Sequence, residues 1–309
     1  DAGSTTVTPP TTAPRPPHPR PGPAIAPHQA TGTFLKDAKA GSFTHTGQHF
    51  DIHGQFNVPR PPQGRPVIFQ AGDSDEGREF AAAEADAIFS RHGTLEAGRA
   101  FYTDVKSRLA KYGRRADQLL ILPAATFALA DTDAEAEELA REVRRQQVSG
   151  ATALRHLEFV WNRDLSAHDP DGPLPDVDPD VTESHIAQGR AQVRMYRDPI
   201  ATAREWRALA EANNWSIRDL VIHTGNRQNF VGSPATLART INEYVQSDAS
   251  DGFILVPHLT PTGLDEFADK VVPLLQEQGV FRTDYEGPTL RDHLGLSHPD
   301  TEGERRRAS

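Results

Sequence analysis

Cysteine is absent from this 309-residue chain, and methionine occurs once. Without thiols there is no disulfide framework, no thiolate chemistry and no Cys–zinc site. No apolar run approaches the roughly 20 residues of a membrane-spanning helix, and no signal-peptide apolar core is present. Positive charge is in deficit. The formal net charge is −10 and the pI is near 5.7, which argues against nucleic acid or an anionic membrane as partner. Arg305-Arg306-Arg307 is too short a run to reverse that balance. Gly-x-Gly-x-x-Gly, P-loop and Gly-x-Ser-x-Gly patterns are all missing, so nicotinamide dinucleotide, nucleotide hydrolysis and serine hydrolase readings lack support. Cytoplasm is the default location, although a cysteine-free chain is also compatible with secretion.

Proline, in contrast, is concentrated at the start. Residues 1–28 hold nine prolines, one acidic residue (Asp1) and only Val7 and Ile25 as large aliphatics. Such a segment buries too little surface to offset its ordering entropy, and it is expected to lack regular structure. A polyproline ligand around Pro16-Pro17-His18-Pro19 and the product of a frame-shifted or truncated gene are readings that stay open. Residues 300–309 read as a second disordered tail.

The body alternates strand-like and helix-like segments. Strands are expected near 67–71, 86–89, 119–125 and 252–256, the first and third as buried apolar runs. Apolar residues at 101, 105, 109 and 112 mark an amphipathic helix ended by Gly113. Thr132-Asp133-Ala134-Glu135 and Ser216-Ile217-Arg218-Asp219 have capping-box spacing. Ser233-Pro234 is an N-cap followed by proline at the first helical position. Leu264, Phe267, Val271, Leu274 and Leu275 mark a last amphipathic helix. Alternating β and α implies a parallel sheet or barrel. The rhythm breaks between about Val148 and Ile200, where Asp169-Pro170-Asp171-Gly172-Pro173 is turn-rich. Insertions of this length are usually functional or mobile, and a merely solvated excursion is the plainer reading.

Among thirteen histidines, His45, His49 and His53 have i, i+4, i+8 spacing. Gly47, Gly54 and the alternation Phe50-Asp51-Ile52 favour a hairpin over a metal-binding helix, and no metal is expected. His258 follows the 252–256 strand, at the end where a barrel gathers its catalytic loops. It is a candidate for the substrate pocket, beside the plainer reading of an incidental loop histidine.

The most informative stretch runs from Val67 to Phe80. An apolar strand ends at Gln70-Ala71-Gly72-Asp73-Ser74, and a helix with Ala81-Ala82-Ala83 follows. A helix start in that position offers unpaired N–H groups and a favourable dipole to an anion. The plain reading is a βα turn with Ser74 or Asp73 capping the helix.

Taken in order, several stretches resemble one family. They are Gly47-Gln48-His49-Phe50, Arg60-Pro61-Pro62-Gln63-Gly64-Arg65-Pro66, Gln70 to Glu79, Val231-Gly232-Ser233-Pro234, Asp251-Gly252-Phe253-Ile254-Leu255, Gly263-Leu264-Asp265-Glu266-Phe267 and Phe281 to Leu296. The family is the flavin-dependent monooxygenases typified by nitrilotriacetate monooxygenase component A and dibenzothiophene-sulfone monooxygenase, within the bacterial-luciferase-like superfamily. The resemblance covers about residues 29–299. It implies a partial (β/α)8 TIM barrel, with the family's N-terminal βα units unmatched, and with the 148–200 insertion as a lid. It implies reduced FMN supplied by a separate flavin reductase, O2 and a small organic substrate, and a homo-oligomer as the family norm. Carried over by position, Gln70, Ala71, Gly72, Asp73 and Ser74 lie at the FMN phosphate; the resemblance assigns no catalytic residue on this chain. Two alternatives accompany it: a non-catalytic remnant or accessory protein that no longer binds flavin, and a deazaflavin-dependent oxidoreductase of the same superfamily.

Overall fold

The structure is a computed structural model that describes residues 25–35, 37, 39, 41–56, 58, 61–182, 198–225 and 229–299. The segments 1–24 and 300–309, expected to lack regular structure, lie outside the described residues, as does 183–197 of the lid-like insertion.

Regular structure begins earlier than the sequence suggested. Ile25–His28 (β1) pairs antiparallel with Thr33–Leu35 (β2). The Thr31 N–H donates to the His28 carbonyl at 3.2 Å, and Gly32 takes φ +63°, a region glycine enters without steric cost. Ser42–Thr46 (β3) and Asp51–Gln55 (β4) form the expected hairpin, with Thr44 opposite His53 and His45 opposite Ile52. Gly54 has no side chain because the Phe43 ring occupies its place: an added Cβ would lie 2.6 Å from it.

Phe69–Gln70 (β5) is shorter than the expected 67–71 strand. It is also not buried: Ile68 is 39% exposed and Phe69 48%. Among the described residues β5 has a single partner strand. Asp75–Glu84 (α1) follows, capped by Ser74, and then Ala87–Ser90 (β6). Leu95–Arg108 (α2) runs into a 3-10 turn that Gly113 ends at φ +64°. Leu120–Leu129 (β7) continues past Pro123.

Asp133–Gln147 (α3) opens on the expected Thr132–Glu135 capping box. Gly150–Trp161 (α4) is a helix where an irregular excursion was expected. Ser149 caps it, and Ala153, Leu157, Val160 and Trp161 recur at helical spacing on its buried side. Pro199–Asn213 (α5) starts at Asp198 and Pro199 and ends at Asn214, φ +52°. Ile217–Thr224 (α6) opens on the Ser216–Asp219 box. Phe230–Gly232 (β8) was not anticipated as a strand. Pro234–Gln246 (α7) is capped by Ser233, as read, and Ile254–Val256 (β9) precedes the last helices. The single amphipathic helix expected there is two, Thr262–Lys270 (α8) and Val272–Glu277 (α9). Pro273 lacks the N–H that would continue the ladder, so α9 restarts around it. Leu290–His293 (α10) is the last element among the described residues.

The chain forms two compact units. The first comprises residues up to Ile88, Val105–Leu120 and the residues from Thr283; the second comprises Phe89–Asp104 and Ile121–Arg282. In the first, β5 pairs in parallel with β6, Phe69 opposite Ala87 and Gln70 opposite Ile88. In the second, β7 is shared: Ala124–Thr126 pair with β9 and Phe127–Leu129 with β8, all parallel. Parallel strands alternating with helices are the partial (β/α) barrel that the sequence implied.

Two apolar clusters hold the second unit. Phe127, Leu129, Phe230, Leu237, Ile241, Tyr244, Phe267, Val271 and Leu275 pack β7 and β8 against α7, α8 and α9. Leu157, Trp161, Leu165, Trp206, Ile217 and Leu220 join α4, α5 and α6. Each large side chain so buried contributes about 1.5–3 kcal/mol relative to exposure.

Candidate functional site

The turn between β5 and α1 is locked from both ends. The Gln70 Oε1 accepts the Ala71 N–H at 2.9 Å, and its Nε2 donates to the Gly77 carbonyl at 3.4 Å. Gly72 and Gly77 lie backbone against backbone. A Cβ on Gly77 would fall 2.9 Å from the Gly72 carbonyl carbon and oxygen. Ser74 stands at the N-cap with extended φ,ψ, and its Oγ accepts the Gly77 N–H at 3.1 Å. The Asp73 carbonyl accepts from Arg78 Nε at 3.1 Å, and its carboxylate lies 3.5 Å from the same guanidinium.

This geometry leaves donors at the mouth of the turn. The N–H groups of Asp75 and Glu76, in the first turn, have no intrahelical partner. The Ser74 hydroxyl accepts from Gly77 and keeps its proton to donate. The charges are mixed. Arg78 offsets Asp73, and Arg108 offsets Asp75 through a 2.6 Å bond. Arg108 also reaches Glu79 at 3.3 Å. The Glu79 carboxyl is held below its ordinary pKa by hydrogen bonds from Lys111 and Tyr112. Glu76 is exposed, with no basic partner among the described residues. Unpaired N–H groups at a helix start favour an anion, and the Glu76 carboxylate would oppose one.

The other candidate, His258, belongs to the second unit and follows β9. It is half-buried, and its Nδ1 is buried with no hydrogen-bond partner among the described residues. The structure thus brings Gln70, Ala71, Gly72, Asp73 and Ser74 together at one turn, with His258 in the other unit. The hairpin register places His45 and His53 out of helical alignment, in accord with the sequence reading.

Several groups that matter were not singled out from the sequence. Gly77 and Arg78 complete the turn. In the first unit Asp86 is buried between two guanidiniums. Arg65 donates to it at 2.6 and 2.8 Å, Arg291 at 2.6 and 3.3 Å, and the Ile68 N–H at 2.9 Å. Burial alone would push the Asp86 carboxyl up. The Arg291 hydrogen bond, the Ile68 amide and the two positive charges outweigh it and hold the group below its ordinary value. In the second unit Tyr102 donates to Asp251 Oδ1 at 3.0 Å, while Asp251 Oδ2 accepts the Ile121 N–H at 2.7 Å. Burial, followed by the Asp251 charge, pushes the Tyr102 phenol up. Only distant pairing exposes these groups, because their partners lie 149 and 205 residues away.

Residues 33–251 match the luciferase-like monooxygenase family. The chain belongs to that family. Among luciferase-like monooxygenases it is 38% identical over 280 residues to nitrilotriacetate monooxygenase component A of Aminobacter aminovorans, covering 87% of this chain and 58% of that protein. It is 36% identical to N-acetyl-S-(2-succino)cysteine monooxygenase of Bacillus subtilis (strain 168), covering 88% and 59%. The crystal structure of DmoA from Hyphomicrobium sulfonivorans superposes with a TM-score of 0.66 at 25% identity, over 90% of this chain and 55% of that one. EDTA monooxygenase from Chelativorans sp. BNC1 gives 0.57 at 28% identity, over 91% and 62%. The chain therefore spans somewhat over half the length of these relatives.

Proposed function

We propose that this chain carries the phosphate-binding part of an FMN-dependent monooxygenase, the oxygenating member of a two-component pair that takes reduced FMN from a separate flavin reductase. When bound, reduced flavin supplies the activation of O2 that oxygenates a small organic substrate. Relatives named for nitrilotriacetate, N-acetyl-S-(2-succino)cysteine and dibenzothiophene sulfone share no substrate class narrower than an organic molecule.

The observation that carries the reading is the donor set at the turn. The Ser74 O–H and the Asp75 and Glu76 N–H groups lie at consecutive positions of one helix start, and the Gly72–Gly77 backbone contact packs the turn against it. Gln70 and Ala71 brace the strand end, and Asp73 fixes Arg78 across the turn. In this reading His258 lines the substrate pocket and the 148–200 segment is the lid; the resemblance supports both.

The test uses the phosphate itself. FMN and riboflavin, which lacks the phosphate, are titrated onto the chain and followed by flavin fluorescence. FMN should bind at least tenfold more tightly, about 1.4 kcal/mol, and Ser74→Asp should erase the difference by repulsion. Glu76→Gln should strengthen FMN and leave riboflavin unchanged. Equal affinity for the two flavins reduces the turn to a helix cap. That result favours the second reading, a non-catalytic accessory protein.

A further inference from the structure

Asp86 meets Ile68 twice. Its carboxylate accepts the Ile68 N–H at 2.9 Å, and its own N–H donates to the Ile68 carbonyl at 2.9 Å. Ile68 directly precedes β5, and β5 ends at Gln70, whose side chain braces the turn. Asp86 is in turn gripped by Arg291. The Arg291 Nη2 donates to the Asp86 carboxylate at 2.6 Å and to the Pro66 carbonyl at 3.4 Å. Its Nε donates to the Arg65 carbonyl at 3.3 Å and its Nη1 to the Ser297 carbonyl at 3.2 Å. One guanidinium thus holds both the carboxylate on Ile68 and the two residues that lead into Val67. All these groups belong to the first unit.

Strand β5 needs such a grip. It is two residues long and pairs with β6 at Phe69–Ala87 and Gln70–Ile88 alone. Side chains specify register when one face is apolar and the other polar, because a slip of one residue exchanges the faces. Val67, Ile68 and Phe69 are apolar in succession, so a slip among them carries no such penalty. It would still turn the Gln70 side chain to the opposite face, away from the Gly77 carbonyl that it bonds.

Stability does not account for the cluster. Arg291 and Asp86 are 2% and 4% exposed, and apolar residues of similar volume often stabilise as well as a buried ion pair, or better. Arg65 already pairs with Asp86 through two bonds, at 2.6 and 2.8 Å, so Arg291 brings a second positive charge to one carboxylate. What it adds is direction, since a guanidinium holds its donors in a rigid planar fork.

We infer that Arg291 is a positioning residue. Through Asp86 and the Arg65 and Pro66 carbonyls it fixes the register of β5, and so the place of the turn that takes the FMN phosphate. The consequence for FMN rests on that turn being the phosphate seat; the register does not.

Arg291→Met fills much of the same space and leaves Asp86 paired with Arg65, so the 309-residue chain should still fold. Hydrogen exchange at the Ile68 and Gly77 amides should quicken at least tenfold, and the preference for FMN over riboflavin should vanish. Arg291→Lys, which keeps the charge and loses the fork, should rescue neither. Leu157→Ala, in an apolar cluster of the second unit, should lower the thermal midpoint and move neither readout. Unchanged exchange in Arg291→Met would overturn the proposal, as would quickened exchange with the FMN preference intact, or the same changes in Leu157→Ala. An Arg291→Met chain that no longer folds would overturn it too, because a contact kept for register leaves the fold standing. A parent chain without any FMN preference defeats the phosphate seat alone, and exchange at Ile68 and Gly77 then decides the register by itself.

Discussion

At the scale of single residues, Gly77 is the sharpest constraint. Alanine is the better helix former by about 0.8–1 kcal/mol, so propensity alone favours Gly77→Ala. Geometry opposes it, because the new methyl would meet the Gly72 backbone at 2.9 Å, and backbone cannot swing aside. Overpacking of this kind costs about 1–3 kcal/mol. Gly77→Ala should therefore lower the urea midpoint, and a raised midpoint would show that the turn relaxes freely. Carboxylates of the first unit add a pH dependence. Asp292 accepts from the Thr289 hydroxyl at 2.7 Å and lies 2.8 Å from His298, and these bonds depress its pKa to about 2. A depressed carboxyl stabilises fully above its unfolded value, about 4, and loses that contribution as pH falls through the folded value. Asp86 is depressed too and acts in the same direction. Stability should fall between pH 4 and 2, and Asp292→Asn should flatten that slope in acid titrations followed by circular dichroism. A slope unchanged by the substitution would exclude Asp292 as its source.

Among the elements, β7 shows how two strands share one neighbour. Asn229 lies where the partnership changes from β9 to β8. Its N–H donates to the Thr126 carbonyl, its Oδ1 accepts the Thr126 N–H at 2.9 Å, and its Nδ2 donates to the Ala124 carbonyl at 2.9 Å. The side chain stands in for a missing stretch of strand. Asn229→Ala would leave two backbone groups unpaired and should cost about 1–3 kcal/mol, read as a lower thermal midpoint; Asn229→Asp should recover part of it. A midpoint equal to the parent would mean that water replaces the amide. The sequence was legible where chemistry is local. The Thr132 and Ser216 boxes, the Ser233-Pro234 start, the Gly113 stop and the β3–β4 hairpin all lie where residue patterns placed them. Ser74 was legible as a cap for the same reason. Where pairing is distant, legibility failed. β8 is three residues long and exists because β7 offers it an edge. α4 was overlooked although Ala153, Leu157, Val160 and Trp161 carry the helical period, because the acidic turns after it dominated the reading. Val67 to Ala71 read as buried because apolarity reports what a strand needs, not what lies beside it.

For the whole molecule, exposure near the turn bears on catalysis. Reduced flavin is productive only where water is excluded, and here Ile68 and Phe69 stand open to solvent one strand-length from Ser74. Given reduced FMN and O2, the 309-residue chain alone should release hydrogen peroxide and form no oxygenated product across a panel of small organics. Coupled product formation, by chromatography against a peroxide assay, would overturn that expectation. The clamp on Asp86 has a consequence of another kind, for synthesis on the ribosome. Its second arginine follows 205 residues later. At the usual 5–20 residues per second, that is a wait on the order of ten to forty seconds. The second unit ends at Arg282, so it is fully translated before the first unit has its last anchor. Asp86 must remain hydrated through that interval with one guanidinium in place of two. A nascent chain released just short of Arg291 forfeits both α10 and the second guanidinium on Asp86, and a protease would meet its first unit without that anchor.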